Sequence, residues 1–356
     1  MDQDLAKELF FRGATLLILD MPEGSEFGID YNSWTTGPKF KGIKMIPPGI
    51  HFVYFNATGK RGGRAARIGF FHNFKERELI IRKWDQLNED LLEDTENDDE
   101  RERFASNLTQ LDQFLGPYPY EHYKKWYSLT SEIGEADVSR LHPKNGKITA
   151  QSDLVYKEED EAGTSTQRVD REHPVRQRFV DEQGLPIVRL RAGTEIGFSQ
   201  IPSAKNDKTF DELLRTFDSP SHILAELQFA FVCFLMGHVY EGFEQWKRLV
   251  HILCACQRAI VQHEKLYDKL LTVLFFQLKE CPSDFFVDIV SRNNFLTITL
   301  SNLFASIEST ADVSRALREK AIKFKKYLKK SFKWDFDSEP DDFKPVVVDM
   351  RGENLP

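Results

Sequence analysis

The spacing of apolar residues changes once along this chain, and that change restricts the fold more than any other feature. Over residues 1–85, aromatic and β-branched residues come in short runs separated by Gly and Pro. From Thr209 onward they recur at three- and four-residue spacing. The first pattern suits sheets and the second suits packed helices, so the chain reads as two domains, α+β in sum. The expected layout is a β-rich domain with short helices over 1–155, a flexible charged linker over 156–186, and an extended segment over 187–204 placed to return to the N-terminal sheet. An all-α domain over 205–333 and an extended tail over 334–356 complete it. With 356 residues, 29 of them Phe, both domains can bury cores of their own.

In the first domain a helix is expected at Leu5–Phe11. Strands are expected at Ala14–Leu19, Glu26–Asp30, Gly42–Ile46, Ile50–Phe55, Arg67–Phe74 and Glu78–Trp84, a spacing that suits a sandwich or open barrel. Gly59-Lys60-Arg61-Gly62-Gly63-Arg64 has the glycines of a phosphate loop but not its order, and no helix follows; a hairpin loop is the expectation. Residues 88–103 hold nine acids and read as a solvated loop leading into a helix over Asp99–Leu115. On that helix Phe104, Leu108, Leu111 and Leu115 would share a face, and Pro117 and Pro119 would end it. Short helices are expected at Glu121–Leu129 and near Ser131–Leu141.

In the second domain a helix capped by Ser219 or Ser221 carries Ile223, Leu224, Leu227, Phe231, Phe234 and Leu235 on one face and Phe229, Val232 and Met236 on the other. A helix apolar nearly all round belongs at the centre. Further helices are expected at Tyr240–Arg258, Ile260–Leu278, Ser283–Ser291, Phe295–Ile307 and Asp312–Phe332.

Residue spacing makes no positive case for catalysis. Cys254 and Cys256 stand roughly 200° apart on a helix and do not readily share a metal ion with His251. His263-Glu264-Lys265-Leu266-Tyr267 has Tyr267 where the zinc-protease motif needs its second His. No nucleophile elbow, dinucleotide fingerprint or kinase set is present, so no cofactor, metal or small-molecule substrate is implied. The four cysteines (Cys233, Cys254, Cys256, Cys281) lie in apolar helical stretches and read as buried thiols of a reducing compartment. With no signal-peptide pattern and no apolar run long enough for a membrane, the protein is expected to be soluble and intracellular.

Two features look outward. Nine bases and one acid occupy Arg315–Lys333, and Arg315, Arg318, Lys323, Lys325, Lys326, Lys329, Lys330 and Lys333 fall within an arc of roughly 160° that excludes Lys320. Leu317, Ala321, Phe324, Leu328 and Phe332 oppose them. Either this is a solvated face on a core-packed helix, or it is an electrostatic platform for an acidic partner surface or RNA. The net charge of −8 weighs against RNA. Beyond an acidic, proline-broken stretch, Pro345, Val346, Val347, Val348 and Asp349 favour extended backbone. That segment either packs on its own domain or adds a strand to a partner's sheet edge.

Several blocks together resemble the AAR-two splicing-factor family. They are Phe27–Trp34, Gly37–Phe52, Leu111–Tyr120, Arg191–Pro202, Glu226–Leu235, Phe243–Leu249, Asp284–Val290 and Pro345–Val348, in order along nearly the whole chain. The resemblance implies a β-sandwich-like N-terminal domain, a C-terminal helical domain similar to VHS-type adaptors, and no catalytic activity. It implies an assembly chaperone of the U-five snRNP that binds the RNase-H-like and MPN-like domains of the large core protein, Prp-eight, and delays helicase and RNA binding. It further implies that residues 345–349 join a partner's sheet, and that the protein works in both cytoplasm and nucleus.

Overall fold

The computed structural model describes residues 3–56, 66–93, 98–151, 154–156, 188–202, 206–281 and 295–336. The chain divides into two compact units, the first formed by Met1–Pro119, Val138–Phe198 and Met236–Val239, the second by Tyr120–Asp137, Ser199–Leu235 and Tyr240–Pro356. Both the N-terminal sheet domain and the C-terminal helical domain of the expected α+β fold are therefore present.

In the first unit, helix α1 (Gln3–Arg12) leads into strands β1 (Ala14–Leu19), β2 (Glu26–Ile29), β3 (Asn32–Thr35), β4 (Gly42–Ile46), β5 (Gly49–Asn56), β6 (Ile68–Phe74), β7 (Leu79–Asp85) and β8 (Asp90–Glu93). Helices α2 (Asp98–Ser106) and α3 (Leu108–Leu111) precede β9 (Leu115–Pro117). One mixed sheet has the order β8-β7-β1-β4-β9. Helix α4 (Tyr123–Thr130) comes next, as part of the second unit, and then α5 (Glu135–Leu141), β10 (Ile148–Thr149), β11 (Leu154–Tyr156) and β12 (Val188–Leu190). An antiparallel sheet has the order β10-β6-β5-β2-β3, and β11 pairs with β12 in a separate ribbon.

Strand β1 reads Ala-Thr-Leu-Leu-Ile-Leu because both its faces are covered, so it does not need to alternate. On one side Leu17 packs with Leu79, Ile81 and Leu115 under Phe104, Leu108 and Leu111 of α2 and α3. Between the sheets, the Phe55 ring of β5 meets Trp84 of β7 edge-on at 5.8 Å. Gly42 has φ +126°, and a Cβ there would lie 1.9 Å from the Leu16 carbonyl oxygen. The register of β1 on β4 shifts between Ala14 and Leu16 beside it, so glycine is what lets the two backbones close at this irregularity.

Four expectations for this unit need correction or extension. The acidic stretch is not wholly loop: Asp90–Glu93 forms an edge strand on β7, and Asp90 is buried in an ion pair with Lys147. The helix expected over Asp99–Leu115 breaks at Asn107, whose side-chain amide donates to the Arg103 carbonyl at 2.9 Å and competes with helix continuation. Its last residue, Leu115, lies in a strand parallel to β4, opposite Gly42. Asn32–Thr35 is an additional strand, reached by the turn at Asp30, which has φ +53°. Within 187–204, only Val188–Leu190 is a strand among the described residues, paired with β11 and not with either larger sheet. The Gly59–Arg64 loop and residues 157–186 of the expected linker lie outside the described residues.

The second unit continues with α6 (Asp207–Leu214), α7 (Ser221–Leu235), α8 (Tyr240–Ala255), α9 (Gln257–Gln262), α10 (Glu264–Glu280), α11 (Phe295–Ser309) and α12 (Arg315–Phe332). Every residue from Ile223 to Cys233 is buried, which puts α7 at the centre, against α8, α4 and α10. The chain over 240–280 forms three helices where two were expected. Asp207 accepts the Arg258 amide at 3.0 Å and starts α9, while the Tyr267 hydroxyl donates to the Leu253 carbonyl at 2.8 Å and ends α8. The helix expected at Ser283–Ser291 lies outside the described residues.

Candidate partner-binding surface

Helix α12 begins at Ser314, whose Oγ accepts the Leu317 amide at 3.2 Å. Replacing this cap, Ser314→Ala, is expected to cost about 1 kcal/mol in the unfolding of the helical unit, read by thermal melting. An unchanged melt would mean that the cap contributes nothing. Lys329 and Lys330 stand in the last turn, where positive charge complements the helix dipole.

Leu317, Ala321, Phe324 and Leu328 are buried, as the apolar arc requires, and Phe332 is half-buried. The basic arc is not uniform. Arg315, Lys323, Lys326, Lys330 and Lys333 are exposed, whereas Arg318, Lys325 and Lys329 are half-buried. Arg315 pairs with Glu319 at 2.7 Å. Arg318 donates to the carbonyls of Thr310 and Ala311 at 2.6 and 3.0 Å, so it clamps the turn between α11 and α12. Lys320, outside the arc, pairs with Asp268 of α10 at 2.8 Å. The exposed platform is thus narrower than the spacing suggested, centred on Lys323, Lys326, Lys330 and Lys333.

The helix ends at Lys333, which has φ +60° and turns the chain back. Trp334 is buried and stacks on Phe332 at 5.0 Å, and Phe336 meets Phe304 of α11 edge-on at 5.4 Å. The tail expected to start at residue 334 therefore begins as part of the helical core. The signal was the aromatic alternation at 332, 334 and 336. Pro345, Val346, Val347, Val348 and Asp349 lie outside the described residues.

Next to Phe336 the sequence reading missed a small open groove between α11 and α12. Phe304, Ile307, Ala321 and Ile322 line it, with Arg318, Lys325 and Glu308 on its rim. Its members come from two helices, so no local pattern announces it.

The thiols are not reactive groups. Burial raises Cys256 and Cys281 to about 12, and pushes Cys233 and Cys254 up as well. Among the described residues no His, Cys, Asp and Glu side chains cluster in a way that could hold a metal ion, and no helix is long and apolar enough to cross a membrane.

Against known proteins, the family described as AAR2 N-terminal domain matches residues 12–143, and that described as AAR2 C-terminal repeat region matches residues 200–337. The chain belongs to the AAR2 family. The Homo sapiens protein AAR2 homolog is 46% identical over 375 residues, covering 98% of this chain and 97% of that protein. The Caenorhabditis elegans AAR2 homolog is 46% identical over 354 residues, covering 94% and 98%. Membership in the AAR2 family supports the splicing-related role that the resemblance carries.

Proposed function

We propose that this AAR2-family protein is a non-enzymatic assembly chaperone in pre-mRNA splicing. It binds the RNase-H-like and MPN-like domains of the large U-five snRNP core protein, Prp-eight, while the particle matures, and delays helicase and RNA binding. It acts in the cytoplasm and nucleus, without cofactor, membrane or small-molecule substrate. The observation that carries this reading is the match to AAR2 homologues along nearly the whole chain, through both units. Pro345–Asp349 would supply a strand to a partner's sheet edge, where backbone hydrogen bonds provide affinity and side-chain pockets provide specificity. The exposed lysines of α12 would add charge complementarity and speed encounter.

A pull-down with the full-length protein and with a form lacking residues 343–356, probed for the large core protein, tests this. Co-purification is expected to fall sharply on deletion while the melting temperature stays unchanged. Retention by both forms would move the interface to the folded units. Retention by neither, with RNA recovered in a steeply salt-dependent manner, would favour RNA binding by the α12 face.

A further inference from the structure

Residues 333–336 bring the chain to the mouth of a groove whose chemistry suits the acidic segment beyond them. Lys333 turns the backbone, Trp334 is buried, and Phe336 rests on Phe304, a lining residue of the α11–α12 groove. Phe304 also meets Phe324 at 5.9 Å, so Phe336 and Phe324 share one ring neighbour on α11. Beyond Phe324 the groove runs to Ala321, Ile322 and Arg318. The distance along α12, from Phe324 to Arg318, is about 9 Å. The four residues from Phe336 to Pro340 span up to about 13 Å when extended.

The chemistry matches the direction. Asp337-Ser338-Glu339-Pro340-Asp341-Asp342 carries four acids, no base and one apolar residue. The groove floor is apolar, and Ile322, 52% exposed, leaves part of it uncovered. On its rim stand Arg318 and Lys325 against the single carboxylate of Glu308. The Arg318 guanidinium is held by carbonyl oxygens, and no carboxylate pairs with it among the described residues.

We infer that residues 337–342 dock on their own helical unit, with Pro340 in the α11–α12 groove and its flanking carboxylates against Arg318 and Lys325. This inference stands apart from the chaperone reading and requires no particular partner.

The test uses the full chain carrying Ile322→Cys and Ser338→Cys, against a control carrying Ala316→Cys and Ser338→Cys. Ala316 is exposed and lies about 120° around α12 from Ile322. The native cysteines are buried and do not compete. Under mild oxidation the first pair is expected to close on the order of tenfold faster than the control, because docking raises its effective concentration. That advantage should shrink in molar salt and with Lys325→Glu. Equal rates for the two pairs would overturn the inference. Hydrogen exchange on the chain without added cysteines checks it independently. The amides of residues 338, 339, 341 and 342 should exchange more slowly than in Lys325→Glu, and free-peptide rates in both proteins would also overturn it.

Discussion

Replacing Asp30 with Ala is expected to destabilise the β-rich unit by about 3–5 kcal/mol, because three buried groups lose their hydrogen-bond partner. Asp30, His51 and Tyr118 are 1%, 1% and 3% exposed, so what they hold is out of water. The Asp30 carboxylate receives His51 Nδ1 at 2.6 Å, the Tyr118 hydroxyl at 2.6 Å and the Phe52 amide at 3.0 Å. His51 Nε2 donates to the Pro47 carbonyl at 2.8 Å, so Nδ1 is the ring nitrogen that shares a proton with the Asp30 carboxyl. Removing the carboxyl group leaves a buried imidazole nitrogen, a hydroxyl and an amide without their partner, and puts Ala at φ +53°, which L residues resist.

The check is urea unfolding followed by circular dichroism. A change below about 1 kcal/mol would show that the pair does not hold the unit together. His51→Leu makes a useful comparison. It should cost less, because the Asp30 carboxylate keeps the Tyr118 and Phe52 donors. A larger loss for His51→Leu than for Asp30→Ala would show that the His51 ring, and not the Asp30 carboxyl, is the centre of this cluster.

Glu226→Ala is expected to cost the helical unit about 3–4 kcal/mol, because it leaves three donors unpaired. Glu226 is fully buried in α7, the most apolar helix of the chain among the described residues. Its Oε1 accepts the Ser199 amide and the Gln245 side-chain amide, each at 2.8 Å, and its Oε2 accepts the Ser199 hydroxyl at 2.8 Å. Gln245 in turn donates to the Ser199 carbonyl at 2.9 Å. The carboxylate thus ties the segment entering the helical unit to α7 and α8. Glu226→Gln keeps an acceptor for the Ser199 amide, and the hydroxyl can rotate to accept from the new amide. It should cost less than half as much in thermal melting. Equal losses for Ala and Gln would mean that negative charge, and not hydrogen bonding, is what the site requires.

Much of the fold was legible because it is written in local period. Ala14–Leu19 and Gly42–Ile46 are strands over the limits expected from their composition, and α7 is central because apolar residues ring it on every side. The opposed arcs of α12 come from its spacing alone. Local reading failed wherever a distant partner overrode propensity. Asp90 sits in an acidic run that looks solvated, yet Lys147 and the edge of β7 bury it. Leu115 fits the helical spacing of Phe104, Leu108 and Leu111, yet the open edge of β4 takes it as a strand, with its side chain still in the same cluster. The basic arc was visible, but the loss of Arg318 to the α11–α12 turn was not, because its acceptors are backbone carbonyls that every sequence carries.

By itself the sequence determined the two domains, the central helix, the charged face and the family, since each depends on residue type at short or ordered spacing. Only the tertiary structure decided which polar groups are buried together, where the long helices break, and that the chain after α12 turns back onto α11. Those outcomes depend on whether a group finds a partner on another element, and a buried donor, acceptor or charge without one is too costly to remain.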